Sequence, residues 1–371
     1  MAPNIIFVLL DGSRYDRLDI SKKFSNLCKD GFLLNNVTAA YPYTFSAMNA
    51  IFTGLFGKEN GVDAYYKMFK LRDSIPFLPD ILQKNGFFTA CNLISDKVIS
   101  SRGFNIHTSH DEYADDLTQK HPELLKKWFS EAIDRPLFAF LQFSRIHTVT
   151  VSEVLKKYDW DNREYYDNKA TNLENYDRVF HESVEYASII KKTIYDLGKA
   201  ENTIIVFFAD HGTGIGERFG ERNYGVFTYE ETIRTFYLFI GPGIQKNKKC
   251  DKLLTSIELF PTLLQLGKVN YEMGTKQRSF ANYLLGLDDS FEDDDYCFSE
   301  TGGLQGPFPS PETPNVFSIK TLKYKLIYFK SIEKFELYNL IDDPKEQKNL
   351  FGTNNEIESE LKIKLLNWIN R

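Results

Sequence analysis

Cysteine is scarce in this chain of 371 residues, and long apolar runs are absent. The four cysteines, Cys28, Cys91, Cys250 and Cys297, stand far apart and form no C-x-x-C pair. That spacing excludes a disulfide framework or a zinc knuckle and reads as reduced thiols. No stretch approaches the roughly 18–20 apolar residues that a membrane-spanning helix needs. Near the start, Ile5 to Leu10 is too short for the core of a secretory leader and no positively charged segment precedes it. A cytoplasmic location is therefore expected. A basic stripe is also missing: 45 basic against 51 acidic residues leave a net charge of −6, so a nucleic-acid partner is not expected. Aromatic residues are abundant, with 31 Phe and 21 Tyr, and are expected as core filler.

Apolar runs and turn residues alternate along most of the chain. Strands are expected at residues 4–10, 32–38, 87–93, 137–143 and 203–209. Helices are expected at 21–30, up to Gly54 or Gly57, at 75–85, 122–132, 176–197 and 256–266. Alternation of this kind predicts an α/β fold: a mainly parallel sheet with helices on both faces. The polar, Tyr-rich stretch 158–172 is expected to be irregular, a lid or substrate loop. After Gly241-Pro242-Gly243 the character changes. Residues 291–295 read as a solvated acidic turn, 317–320, 324–329 and 336–340 as short antiparallel strands, and 356–369 as an amphipathic helix. The expected division is a catalytic core over 1–290 and a small C-terminal α+β subdomain over 291–371.

Two strand ends carry chemistry. The run Thr203 to Ala209 ends in Asp210-His211-Gly212, and the run Asn4 to Leu10 ends in Asp11-Gly12. An α/β enzyme commonly presents metal ligands at the carboxyl edge of its sheet, so the two carboxylates could converge on one cation. An Asp-Gly pair after a strand is by itself equally a turn. Taken alone, Thr44 would be a helix N-cap.

The ordered set of motifs resembles the sulfatase-like branch of the alkaline phosphatase superfamily, nearly end to end. Residues 4–14 resemble its first strand and metal carboxylate, and Tyr43 to Leu55 its nucleophile segment. Phe138 to Phe143, followed by His147, resembles the strand leading to a substrate-facing histidine. Asn202 to Gly212 resembles the second metal segment. Tyr229 to Arg234, Gly241 to Gly243, the Pro261-Thr262-Leu263 helix, and Glu336 to Leu340 with Asp343, Pro344, Glu346, Asn349 and Leu350 follow in order. The resemblance implies an alkaline-phosphatase-like fold and a metal set of Asp11, Thr44, Asp210 and His211. It makes Thr44 the nucleophile and His147 a group that binds a substrate oxygen or protonates the leaving group. Such a donor set suits a single divalent cation, Mn²⁺ or Zn²⁺ ahead of Mg²⁺ or Ca²⁺.

The departures matter as much. True sulfatases carry Cys or Ser in a C/S-x-P-x-R motif and oxidise it to formylglycine; here those positions are Thr44, Ser46 and Met48. Gly12 stands where a second Asp is usual, Arg145 where Asp of an Asp-x-His sequence is common, and Arg218 where His is common. Arg145 becomes a candidate for an anionic substrate. The resulting expectation is a metal-dependent hydrolase of phosphate or phosphonate esters, diesters foremost, with a threonine nucleophile. Sulfate-ester hydrolysis, phosphotransfer onto a glycan or alcohol, and a degenerate binding protein are the alternatives. The expected partner is a small anionic ester or glycan, its specificity set by the loops 58–72 and 149–172. His107, His110, His121 and His181 are expected to be structural, and Glu230, Glu231 and Arg234 to brace the loop behind the metal.

Overall fold

The first strand sets the architecture, because every one of its residues is buried. Asn4–Leu10 (β1) places Ile5, Phe7 and Leu9 in one hydrophobic core and Ile6, Val8 and Leu10 in another. Side chains alternate across a strand, so a continuous apolar run means a sheet covered on both faces. This computed structural model describes residues 2–371 apart from Phe69, 151–158, 272–277, Asp289, Asp293 and Asn354, and gives the backbone alone for 148–150 and Asn355.

The other strands of the main sheet are Gly31–Thr38 (β2), Phe88–Leu93 (β3), Ile106–Ser109 (β4), Leu137–Phe143 (β5), Thr203–Phe208 (β6), Arg234–Ile240 (β7), Lys248–Cys250 (β8) and Leu254–Thr255 (β9). Their order is β4-β3-β5-β1-β6-β7-β2-β8, with β9 also on β2. β4, β3, β5, β1 and β6 are parallel, whereas β7 is antiparallel to both β6 and β2. One core takes the helices Thr44–Thr53, Leu78–Lys84 and Leu259–Leu266; the other takes Lys22–Lys29, Leu117–Ala132 and Lys169–Asp196. The expected mainly parallel α/β sheet is present, with an antiparallel portion that the sequence pattern did not reveal.

A second, four-stranded antiparallel sheet is built from Cys297–Thr301 (β10), Val316–Lys320 (β11), Tyr324–Phe329 (β12) and Lys334–Asn339 (β13). The helix Asn355–Ile369 covers one face through Leu361, Leu365 and Trp368. Val226, Phe227 and Tyr229 pack on the other.

The structure corrects three local expectations. The stretch expected to be irregular is helical from Arg163, as Arg163–Asp167 and then Lys169–Asp196. Its tyrosines are anchors: the Tyr165 hydroxyl donates to Gly214 O at 2.9 Å and the Tyr166 hydroxyl to Trp160 O at 2.5 Å. Tyr158, with 149–157 of the proposed specificity loop, lies outside the described residues or is described by backbone alone. The helix expected from Pro122 begins at Leu117, because Asp116 caps it by accepting from Thr118 N. The acidic turn is not simply solvated: Phe291 is buried and Asp294 pairs with Arg278 at 2.8 Å, while Asp293 lies outside the described residues. Among the described residues no helix is long and apolar enough to cross a membrane.

Candidate active site

Sheet register brings the two strand-end carboxylates together. β1 lies between β5 and β6, with Leu9 opposite Phe208 and Leu10 opposite Phe143. Asp11 and Asp210 therefore leave neighbouring strands on the carboxyl edge, and the chain after β5 turns into the short helix Arg145–Thr150 beside them. This edge is where open α/β sheets form ligand crevices.

Thr44 is the first residue of the helix Thr44–Thr53. The extended residue Tyr43 enters this helix and Gly54, in the left-handed region, ends it. The Thr44 hydroxyl lies 3.3 and 3.4 Å from the two Asp11 oxygens and 3.1 Å from His211 Nε2. The positive end of the helix dipole faces this oxygen and favours negative charge developing there. His211 Nδ1 is 2.7 Å from Gly212 O, so Nδ1 carries the proton and the Nε2 lone pair faces Thr44. Gln142, one residue from the end of β5, donates to Asp11 Oδ2 at 2.7 Å, and its Oε1 accepts from Ile94 N at 3.3 Å. Asp11 Oδ1 is thereby left to face the histidines.

His147, expected to face substrate, places Nε2 at 2.9 Å from Asp11 Oδ1. His211 Nε2 is 3.6 Å from that same oxygen and 3.6 Å from Asp210 Oδ2. The Tyr224 ring lies against both imidazoles, 4.7 Å from His147 and 4.8 Å from His211. Arg145 goes elsewhere: it pairs with Glu182 at 3.2 Å, beside a cavity of about 450 Å³ that Glu112, Phe143 and Ser144 also line. Met48 is buried in the core with Ile51 and Phe52. Of the sequence candidates, Asp11, Thr44, Asp210, His211 and His147 meet, whereas Arg145 pairs with Glu182. Gln142 and Tyr224 were missed. A glutamine inside a buried apolar strand is a usable signal; nothing in the sequence marks Tyr224.

The donor atoms fit a divalent cation. Asp11, Asp210 and His211 are fully buried, and Asp210 Oδ2 accepts no hydrogen bond from the described residues. Burial, then the Asp11 charge, pushes the Asp210 carboxyl well above the ordinary carboxylate range. Burial also works to raise Asp11, but His147, His211 and Gln142 reverse this and hold it below that range. Two buried carboxylates so opposed require a compensating positive charge. Four donors at about 2.0–2.1 Å around a tetrahedral zinc stand about 3.3 Å apart. Within the set Asp11, Thr44, Asp210 and His211, the separations of 3.1, 3.3, 3.6 and 3.6 Å lie close to that value. Imidazole nitrogens among oxygens suit Mn²⁺ or Zn²⁺ better than Ca²⁺.

A buried ionic network braces the segment behind His211. Gly212 N donates to Thr232 O at 2.9 Å, and a Cβ at 212 would come within 2.1 Å of Glu231 O, so only glycine fits. Glu230 binds Lys320 at 2.8 Å and Lys325 at 3.3 Å, and Lys325 reaches Glu346 at 2.9 Å. Arg218 joins Glu231 to the carbonyls of Lys345 and Glu346, a structural duty in place of a metal ligand. Burial opposes ionisation of Glu230, but Lys320, Lys325 and Arg234 hold it at about 2. Glu230→Ala leaves the buried Lys320 ammonium without a carboxylate and Lys325 with Glu346 alone, and is expected to cost about 3–5 kcal/mol in urea unfolding at neutral pH. The Glu230 carboxyl is depressed from 4.5 on folding, so its stabilisation is present above 4.5 and is lost as pH falls toward about 2. An alanine variant with the wild-type acid profile would contradict this.

Comparison with known proteins follows the same direction. A profile of the sulfatase family matches residues 3–269, and one for the C-terminal part of N-sulphoglucosamine sulphohydrolase matches residues 221–371. A Delta 4,5-hexuronate-2-O-sulfatase of Bacteroides thetaiotaomicron is 29% identical over 192 residues, which take in 51% of this chain and 38% of that protein. Among solved structures, a 2-O GAG sulfatase superposes with a TM-score of 0.83 at 18% identity, covering 100% of this chain and 92% of the other. A phosphonate monoester hydrolase of Agrobacterium radiobacter gives 0.73 at 16% identity, covering 98% and 95%. Both structural likenesses concern the fold. The relatives support sulfuric ester hydrolysis better than the phosphoester cleavage expected from Thr44 and Met48. Those two departures are local, whereas the sulfatase match spans most of the chain.

Proposed function

Because the chain belongs to the sulfatase family, we propose that it hydrolyses sulfate esters of a small anionic glycan, with unmodified Thr44 as nucleophile. The observation that carries this reading is the convergence of Thr44 Oγ1 with Asp11 and His211, at 3.1–3.4 Å, in a chain matched by the sulfatase profile. The glycan part of the proposal is supported by the hexuronate sulfatase and GAG sulfatase relatives. Asp11, Asp210, His211 and Thr44 would hold a divalent cation. When bound, it supplies Lewis acidity, lowering the pKa of the threonine hydroxyl and drawing charge from the ester oxygens.

The chain's own groups do the rest. Asp11 stays ionised and fixes the Thr44 hydroxyl by accepting from it, and Gln142 fixes Asp11. Thr44 Oγ1 loses its proton to solvent and forms a bond to sulfur as the bond from sulfur to the sugar oxygen breaks. The departing alkoxide takes a proton from water. A second water then attacks the same sulfur, releases sulfate and restores the threonine hydroxyl. Arg145, which lines a separate cavity with Phe143 and Ser144, is proposed to meet a second anionic substituent.

Thr44 itself favours a second reading, cleavage of phosphate or phosphonate esters. The sequence offers no cysteine or serine at this position for conversion to formylglycine. A plain threonine ester must be opened by water at the central atom, a route equally available to phosphorus. Purified protein assayed with an aryl sulfate, an aryl phosphate, a phosphodiester and a phosphonate ester separates the two. Turnover of sulfate ahead of the others is expected; a phosphorus ester turned over faster would reverse the assignment.

A further inference from the structure

We propose that His147 is itself a metal ligand, completing the donor set through space opened by Gly12, and not a group that faces substrate. The inference rests on the metal site of the proposed function but is independent of which ester is cleaved.

His147 is buried, with 6% of its surface exposed. Its Nε2 stands 2.9 Å from Asp11 Oδ1 and has no other hydrogen-bond partner among the described residues. A buried nitrogen and carboxylate oxygen this close can both be donors to one cation. With His211 Nε2, these atoms lie within 4.8 Å of one another, all on buried side chains. Asp11 Oδ1 is the common neighbour, because Gln142 occupies Oδ2.

Two further features orient the imidazole. Gly12 has φ +73°, and a Cβ there would stand 2.8 Å from Thr213 Oγ1 and 3.3 Å from both His147 Cδ2 and Nε2. The edge of the His147 ring therefore lies against the volume a side chain at 12 would enter. Tyr224 then packs on both imidazoles, at interplanar angles of 16° to His147 and 34° to His211. The Tyr224 ring thus contacts two imidazoles whose Nε2 atoms lie 2.9 and 3.6 Å from the same carboxylate oxygen. A helix residue meant to meet substrate gains nothing from such burial; a ligand does. A second nitrogen donor also moves the site toward borderline transition metals.

The test is Co²⁺ binding to metal-stripped protein, followed by the visible absorption of the bound ion and by metal content after dialysis, with no ester present. His147→Phe keeps a ring for Tyr224 to pack on and removes the nitrogen; His147→Ala removes both. Loss of groups that merely orient ligands costs about 10–100-fold in affinity, so loss of a ligand is expected to weaken Co²⁺ binding by at least about 100-fold. The residual absorption band should shift in both variants while melting of the metal-free proteins changes little for His147→Phe. A His147→Phe protein that binds Co²⁺ with wild-type affinity and spectrum overturns the assignment, as does a wild-type protein that takes up no metal. Wild-type metal binding without ester turnover would count against the proposed function alone.

Discussion

Thr44→Ala is expected to lower ester turnover about 10⁴- to 10⁶-fold, the range seen when a hydrolase loses its nucleophile. The loss should fall on kcat and on kcat/KM alike, because the hydroxyl makes its bond only in the transition state. Thr44→Ser should recover most of the rate, since it restores the oxygen and omits only a methyl group. Folding should survive both changes. Thr44 is the first residue of its helix, and the following residues Ala47, Ala50 and Ile51 anchor that helix in two hydrophobic clusters. If the alanine variant melts with the wild type and turns over substrate at a comparable rate, the nucleophile is another group. Trapped enzyme offers a separate check. Acid quench during turnover should leave one sulfuryl group on the peptide containing Thr44, found by mass spectrometry.

Asp210→Asn is expected to separate stability from function with an equally large effect. Asp210 is fully buried, its Oδ2 accepts no hydrogen bond among the described residues, and the Asp11 charge opposes its ionisation. Asparagine keeps the shape and the oxygen that accepts from His211 N at 3.0 Å, while removing the repelled charge. The metal-free variant should melt at or above the wild-type temperature. Metal binding should weaken by more than about 100-fold, and activity should fall with it. Wild-type protein, by contrast, should gain about 2.7 kcal/mol of stability at a free metal concentration 100 times its Kd. Thermal melts with and without Mn²⁺ or Zn²⁺ read both effects. A destabilised metal-free variant, or one that keeps its metal shift, would show that Asp210 is held for packing and not for charge.

How much of this could be read from the sequence depended on the kind of residue. Asp11, Asp210 and His211 were legible because each follows a fully apolar strand, and parallel neighbours deliver strand ends to one edge. Thr44 was legible only through the order of motifs, since a threonine at a helix start is otherwise an ordinary cap. The setting of Gly12 needed coordinates: a Cβ there would stand 2.8 Å from Thr213 Oγ1 and 3.3 Å from His147, which no local pattern encodes. Tyr224 sits in a segment shaped by left-handed residues at Gly220, Asn223 and Gly225 and reaches the site by long-range packing. The same limit applied to the fold. Strands β1, β5 and β6 were clear, but β10 mixes cysteine, serine, glutamate and threonine, and it is identifiable as a strand only through its pairing with β11. Arg145 was singled out as a substrate contact, and its position beside Glu182 follows from the turn after β5, which sequence spacing does not fix.

The most direct test of the account is steady-state turnover of an aryl sulfate against the matching phosphodiester, by metal-loaded wild type and by Thr44→Ala. The account predicts that wild type cleaves the sulfate ester faster and that both activities vanish in the variant. Sulfate turnover that persists in Thr44→Ala would contradict it.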